Sequence, residues 1–592
     1  MSGTKTHSPP SMILRVTGGT EASREALRRM LEDRWGECRV RNDPGGSDMA
    51  VPGRLLSGTP DRRRATPRPR APSGNPRHPP TPQQAAVRDL CASLAPGQEM
   101  GARAYAGTGK TSTLVECARA RSDRGLYVAF NKSVQVDARR RFGSNVEPST
   151  MHSLAFRWFK DTRPGELAKG RPYGRTVAEV LGLPFVSFGM PSRDVGEFVV
   201  DTWQAWLQSD DPEPDRSHVV LPPKVEDDPA AVRAMVDWSR TWAAVVRDRR
   251  TPVTHDAYLK EWVLGLKDGS VRPPRYGFVM VDEAQDLNPV MVGAVRAMDA
   301  ARIFVGDPYQ AIYGWRGASD ALAGVRGSTL PLSTSFRFGA RVAAMANWVL
   351  SMHPDPPADV LEGSGGSDRL VPASRLPSPD AVLARSRMGL LQEALAAAAD
   401  GRSLHVVGGV QDLARVARSV VALYRDERHR ILDREVARFR DWPDLAEYVE
   451  RHGDRARELK FAFETVEEIG PAGMEARLET VERAHVEDEA GADVALSTVH
   501  KAKGREWDSV RLTDDLLSLD DVEAAAEKGR LDRIGEEVNL VYVAVTRAKK
   551  VCGLPPTLVG PPPVIPGRGL APHPASAPKA RSEPGRQDVE RG

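Results

Sequence analysis

Short apolar runs, LYVAF, YGFVMV, ARIFVG, DAVLAR, DVALST and SVRLT, recur through the middle of the chain with helical stretches between them. A strand followed by a helix must return to its sheet by a crossover, so this rhythm predicts parallel α/β sheets. Two stretches break it. Residues from about 160 to 270 hold Trp-rich helical segments and the polar loop QSDDPEPDRS, and residues from about 410 to 490 hold charged helical segments such as DLARVARSVVALYRDE. Both read as helical insertions into sheet domains. A chain of 592 residues has room for several domains.

The reading places a first core at 81–330 and a second at 331–552. Residues 1–55 read as a small unit of unassigned role, with ILRVTGG and ECRVRN as strands and EASREALRRMLEDRW as an amphipathic helix. Residues 56–80, GTPDRRRATPRPRAPSGNPRHPP with its flanks, are expected to be a disordered basic linker, either a solvated spacer or a non-specific phosphate contact. The Pro-rich tail, 553–592, is also expected to be disordered. The net charge is only +3, so any nucleic-acid surface must be a local patch. The four cysteines lie far apart without metal-ligand spacing. With a start, MSGTKTHSPP, that lacks an apolar signal core, they suggest a reducing cytoplasm and no membrane.

Ala106-Gly107-Thr108-Gly109-Lys110-Thr111-Ser112 has the form of a phosphate-binding loop. Its glycines let backbone N–H groups turn inward around phosphates. Lys110 supplies a point charge, the Thr111 hydroxyl a ligand for Mg²⁺, and the following helix start its dipole. The usual first glycine of such loops is Ala104 here. YGFVMVDEAQD delivers two acids at the end of an apolar strand, Asp282 suited to holding the metal and Glu283 to activating water. Arg337 in STSFRFG and Arg547 in YVAVTRAKK are candidates to meet charge developing on a γ-phosphoryl group, although composition alone gives either as a surface arginine.

Phe130-Asn131-Lys132 leaves a strand end with an aromatic, an amide and a cation together, and Tyr313-Gly-Trp315-Arg316 offers two aromatics and a cation. Such groups grip single strands by stacking and by following the backbone. Trp315 sits in a polar, glycine-bearing loop and is assigned to stacking; for Tyr313, core packing stays open.

In order along residues 81–550 come TPQQAAV, AYAGTGKTS, YVAFNKS, STMHSLA, VDEAQD, VGDPYQAIYGWRGA, STSFRFG, LSTVHKAKGREWD and EEVNLVYVAVTRAKK. This ordered set resembles the superfamily 1 DNA helicases of the UvrD/Rep/PcrA type, and its wording is similar to the F-box DNA helicase branch, with nothing resembling an F-box. The resemblance implies two RecA-like parallel-sheet cores with ATP in the cleft between them, each carrying a helical insertion. It implies that Gln83 reads the adenine edge, with Gln84 as the other register, and that Phe336 stacks on adenine. Gln310 would sense the γ-phosphate, Glu506 would contact the ribose, and Arg337 and Arg547 would act as arginine fingers. His152 and His500 stand where the family touches its strand. The implied activity is ATP- and Mg²⁺-dependent movement 3′→5′ on single-stranded DNA and at its junctions with duplex, in repair, recombination or replication, with a monomer as one option that the sequence leaves open. LLSLDDVEAAAEKGRLD occupies the place of the family's duplex-splitting hairpin, yet reads as helix. A translocase that strips proteins with little unwinding shares every motif.

Overall fold

The computed structural model describes residues 12–16, 39–43 and 46–51, and from 79 to 574 all but 163, 222–224, 226–227, 315–316, 318–319, 453–456, 566–568, 570 and 572. The chain divides into two compact units, 1–79 and 80–592. In the first, β1 (Met12–Val16), β2 (Arg39–Asp43) and β3 (Gly46–Val51) form an antiparallel sheet with β3 in the middle. The expected ILRVTGG and ECRVRN strands correspond to β1 and β2. The helix expected between them, the basic linker and the end of the tail lie outside the described residues.

The second unit holds two parallel six-stranded sheets. The first contains β4 (Glu99–Ala104), β5 (Gly125–Val128) and β6 (Val146–Ser149). After a two-strand hairpin of β7 (Val186–Ser187) and β8 (Met190–Pro191), it resumes with β9 (Phe278–Val281), β10 (Ala301–Gly306) and β11 (Thr329–Leu332). Its order is β11-β4-β10-β9-β5-β6. Strands β5 and β9 are buried along their whole length, which is why they read as unbroken apolar runs rather than alternating ones.

A short pair, β12 (Thr334–Ser335) with β13 (Glu362–Gly363), follows. The second sheet is then built from β14 (Arg369–Pro372), β15 (Ala381–Ala384), β16 (Leu404–Val406), β17 (Val494–Thr498), β18 (Trp507–Leu512) and β19 (Ala548–Leu554), in the order β14-β19-β18-β15-β17-β16. The α/β class and its two parallel sheets are as the sequence led us to expect.

Helices α1 (Pro82–Ser93), α2 (Lys110–Arg119) and α3 (Lys132–Arg141) flank the first sheet. Thr81 starts α1 with a capping box to Gln84, and Pro82 fills a position that needs no N–H donor. Between β6 and β9 run α4 (Met151–Thr162), α5 (Gly174–Leu181), α6 (Ser192–Gln208), α7 (Pro229–Arg247) and α8 (His255–Lys267), packed around Trp203, Trp242 and Trp262. Helix α9 (Pro289–Arg296) follows β9, and α10 (Ala340–Ser351) and α11 (Arg387–Ala399) belong to the second sheet. Its own insertion carries α12 (Val410–Tyr424), α13 (Trp442–His452) and α14 (Arg457–Ala484), the last bent at Gly470-Pro471. Helices α15 (Leu519–Glu527) and α16 (Gly535–Val545) precede β19.

One expectation is corrected. The tail from residue 553 is not disordered where it is described. Leu558 and Ile565 are buried in the second core, Trp348 Nε1 donates to Ala571 O at 3.1 Å, and the His573 ring meets Trp348 edge-on at 4.5 Å. Proline gives up little conformational freedom on ordering, so a few spaced apolar side chains suffice to hold such a segment.

Candidate functional site

Three loops gather at the carboxyl ends of adjacent strands β4, β10 and β9, where parallel sheets place ligands. The first, after β4, carries Gly107 at φ +76° and Gly109 at φ +80°, left-handed positions that suit glycine. A Cβ on Gly107 would lie 2.4 Å from Ser335 Oγ and 2.7 Å from Arg337 Cβ. The loop is therefore pressed against the segment that leads to the second sheet. Lys110 Nζ donates to Ala104 O at 3.0 Å, and Gln84 Nε2 donates to Thr108 O at 3.2 Å.

The second loop follows β9. Asp282 Oδ2 accepts from the Tyr127 hydroxyl at 2.6 Å and from Thr111 Oγ1 at 3.3 Å. Burial, then the neighbouring Glu283 carboxylate, push the Asp282 pKa up. A hydroxyl and a buried, under-compensated carboxylate converging on one point suit a hard divalent cation. Glu283 sits in the left-handed region at φ +52°, unusual for a side chain of its size. For Glu283, burial likewise pushes the pKa up but is outweighed: Lys110 and Lys503 hold its carboxyl at about 2, with Gln285 and Arg547 acting in the same direction as the lysines. Gln285 Nε2 donates to Glu283 Oε2 at 2.7 Å and its Oε1 accepts from Asp307 N at 3.0 Å, so it ties the second loop to the third. In the third loop, Gln310 Nε2 donates to the fully buried Asp307 Oδ2 at 2.7 Å.

The second core closes this site from above. Arg547 is 1% exposed, and its guanidinium donates to Val543 O, Arg505 O and Thr546 Oγ1 at 3.0, 3.2 and 3.2 Å. Burial and the adjacent Arg337 charge bring its pKa down to about 9. Arg337 Nε donates to Glu506 Oε2 at 2.7 Å and its Nη1 to Thr546 O at 3.1 Å. Lys503 bridges back, with its ammonium donating to the Asp286 carboxylate and, at 2.7 Å, to Gln310 O. Apolar packing is continuous across the same boundary, with Tyr105, Ala106, Tyr309 and Ile312 in one cluster with Phe338, Leu540 and Tyr542.

Beside the cleft, Phe130 is 40% exposed and stacks on Tyr313 with ring centroids 6.1 Å apart and planes 13° apart. The Tyr313 hydroxyl donates to His500 O at 2.9 Å, and the Lys503 ammonium lies 5.2 Å from the Tyr313 ring. An aromatic pair of the first core is thus hydrogen-bonded to the second beside a cation.

Comparison with known proteins agrees with this layout. Residues 271–322 match the UvrD/REP helicase N-terminal domain and residues 434–552 the UvrD-like helicase C-terminal domain. In these two stretches the chain is similar to the UvrD-like helicases. It is 29% identical over 492 residues to F-box DNA helicase protein 1 of Schizosaccharomyces pombe, covering 77% of this chain and 55% of the relative. It is 31% identical over 501 residues to F-box DNA helicase 1 of Gallus gallus, covering 77% of this chain and 47% of the relative. The chain therefore spans about half the length of the curated relatives it matches.

Lys110, Thr111, Asp282, Glu283, Gln310, Arg337, Glu506 and Arg547 gather around one cleft. Phe336, 48% exposed, donates its backbone N–H to Gly107 O at 2.9 Å. Gln83 is engaged: its Nε2 donates to Ser333 Oγ and its Oε1 accepts from Ser333 N, both at 2.9 Å. Gln84 serves the α1 cap and the phosphate loop. Asn131 caps α3 through Val134 N at 2.9 Å, and all three residues of that trio are exposed. His152 pairs with Asp256 at 3.0 Å on the insertion. Trp315 and Arg316 lie outside the described residues. Tyr542, Asp307, Lys503 and Asp286 were not singled out from the sequence. Each sits inside a quoted motif, but nothing local marks it as reaching across a cleft.

Proposed function

We propose that this chain is an ATP-driven motor on single-stranded DNA that moves 3′→5′ and opens duplex at a single/double-strand junction. The observation that carries the reading is electrostatic: Glu283 lies in the field of Lys110 from the first core and of Arg547 from the second. A cleft that needs both halves to complete one charge arrangement changes shape when its ligand's charge changes. The names of the two relatives, both DNA helicases, support the same choice of substrate.

In this mechanism Lys110 and the loop amides hold the β- and γ-phosphates. Thr111 and Asp282 would hold Mg²⁺, which when bound neutralises phosphate charge. Glu283 orients water and takes its proton as the water oxygen bonds to the γ-phosphorus, and the bond from phosphorus to the β–γ bridging oxygen breaks to leave ADP. Arg337 and Arg547 leave their parked partners, Glu506 and the backbone carbonyls, to meet the charge on the γ-phosphoryl group. Its loss frees them again, and the cleft opens. The Phe130–Tyr313 pair of the first core, tied to the second through the Tyr313 hydroxyl and His500 O, turns that opening into a step along the strand.

K110A should abolish ATP turnover, and E283Q should lower kcat by about 10²–10⁴-fold with a much smaller change in KM. Duplexes with 3′ or 5′ single-stranded overhangs test direction. Strand release from the 5′ form alone would reverse the assigned polarity, and unwinding by K110A would remove the mechanism. A second reading, protein stripping with little unwinding, has one observation in its favour. Residues 513–535, all described, hold α15 and a short 3₁₀ turn and no β-hairpin. DNA-stimulated ATPase without strand release would select it.

A further inference from the structure

Helix α16 belongs to the second core, yet two of its side chains, three residues apart on one face, end inside the first. The Tyr542 hydroxyl accepts from Ala106 N in the phosphate loop at 3.0 Å and donates to Asp307 Oδ2 at 2.9 Å. That same oxygen accepts from Gln310 Nε2, while Asp307 Oδ1 accepts from Tyr309 N at 3.1 Å. Asn539 Nδ2 donates to Ala311 O at 3.1 Å. Its Oδ1 is buried and has no hydrogen-bond partner among the described residues. Ala311 is two residues before Tyr313, the ring of the aromatic pair that is hydrogen-bonded to the second core. Helix α16 therefore clamps both ends of one short segment, Asp307–Ala311, that joins the nucleotide loops to the nucleic-acid groove.

We propose that Tyr542 and Asn539 are positioning residues that couple occupancy of the nucleotide cleft to the aromatic grip, a proposal that rests on the function inferred above. Gln310 can turn its amide toward a phosphate only by leaving Asp307. A fully buried carboxylate stripped of a donor is costly, so Gln310 is free to leave only if another donor remains on that oxygen. Tyr542 is that donor. Its hydroxyl also receives the Ala106 N–H, so a shift of the phosphate loop on filling moves the same oxygen that holds Asp307. At the far end, Asn539 holds Ala311 O and keeps one acceptor in reserve. Displacement of the segment thereby passes to Tyr313 and, through its hydroxyl, to His500 in the second core. Arg547 follows α16 by two residues, so the helix that senses the segment also carries the cation that meets the γ-phosphoryl charge.

The test is steady-state ATPase of the full chain, titrated with ATP and with oligo-dT, for wild type, Y542F and N539A. Y542F keeps the ring and removes only the hydroxyl. It should lower the DNA-stimulated kcat about tenfold or more while KM for ATP moves less than about threefold and the melting midpoint holds. N539A should raise the oligo-dT concentration for half-maximal stimulation about fivefold with KM for ATP unchanged. It carries the test alone if Y542F does not fold. Wild-type kcat in Y542F, or a parallel shift of kcat, KM and melting midpoint as expected for a purely structural bond, overturns the coupling. Wild type that turns over no ATP defeats the proposed function and this inference with it. Wild-type stimulation with unchanged variants defeats the inference alone.

Discussion

Gly107 shows how tightly single residues are held at the cleft. Its backbone is left-handed, which costs an L side chain roughly 1–2 kcal/mol, and a methyl group there would collide with Ser335 and Arg337. G107A should therefore lower both the melting midpoint and ATP turnover, the latter by more than about a hundredfold, because it pushes Arg337 away from the nucleotide as well as straining the loop. Thermal melts and ATPase rates on the same preparation check this. A variant that melts earlier but turns over normally would show that Arg337 does not need this contact. That Lys110, Thr111, Asp282 and Glu283 meet at one place was legible in the sequence, because the proposed phosphate chemistry calls for those residue types at such spacing. Gln83 was legible as a residue but not as a bonding pattern: its amide is spent on Ser333, 250 residues away.

At the scale of elements, the strands announced themselves and their partners did not. FVMV in β9 is buried end to end, and only a parallel sheet covered on both faces accepts such a run. Helix α16 was equally apolar in sequence, and for the same reason its Tyr542 was indistinguishable from a core residue. The aromatic pair is also a property of elements, one ring at the end of β5 and the other after β10. F130A and Y313A should each weaken oligo-dT binding by about tenfold, since stacking on one base is worth about 1–3 kcal/mol. KM for ATP should stay near wild type in F130A. Fluorescence anisotropy with labelled oligo-dT measures the loss. Undiminished affinity in F130A would mean that its stack on Tyr313 serves packing alone.

Across the body of the molecule, Asp286 and Lys503 join the two cores. Burial raises the Asp286 pKa to about 6 from an ordinary 3.8, with the Lys503 charge opposing the rise. The folded carboxyl thus binds its proton more tightly than the unfolded one. Its ionisation opposes folding, fully so above the folded pKa. This cost fades as pH falls from about 6 toward 3.8, so over that window the group contributes stability on acidification. The difference is on the order of 3 kcal/mol. D286N has no such proton to bind and should lose this contribution. Between the two pKa values its melting midpoint should fall more steeply on acidification than that of the wild-type chain. Parallel curves would show that Asp286 titrates near its ordinary value.

The sequence by itself determined the two parallel sheets, the glycine-rich loop after β4, the paired acids and the order of the motifs. These depend on neighbours within a few residues, where backbone geometry converts spacing directly into position. Tertiary structure alone decided that Tyr542 bonds the phosphate loop, that Lys503 crosses to Asp286, that Arg547 is parked on carbonyls and that part of the Pro-rich tail is packed. Each of these depends on burial against groups far away in the chain, and no local pattern of residue types encodes which distant surface will be the one that excludes water.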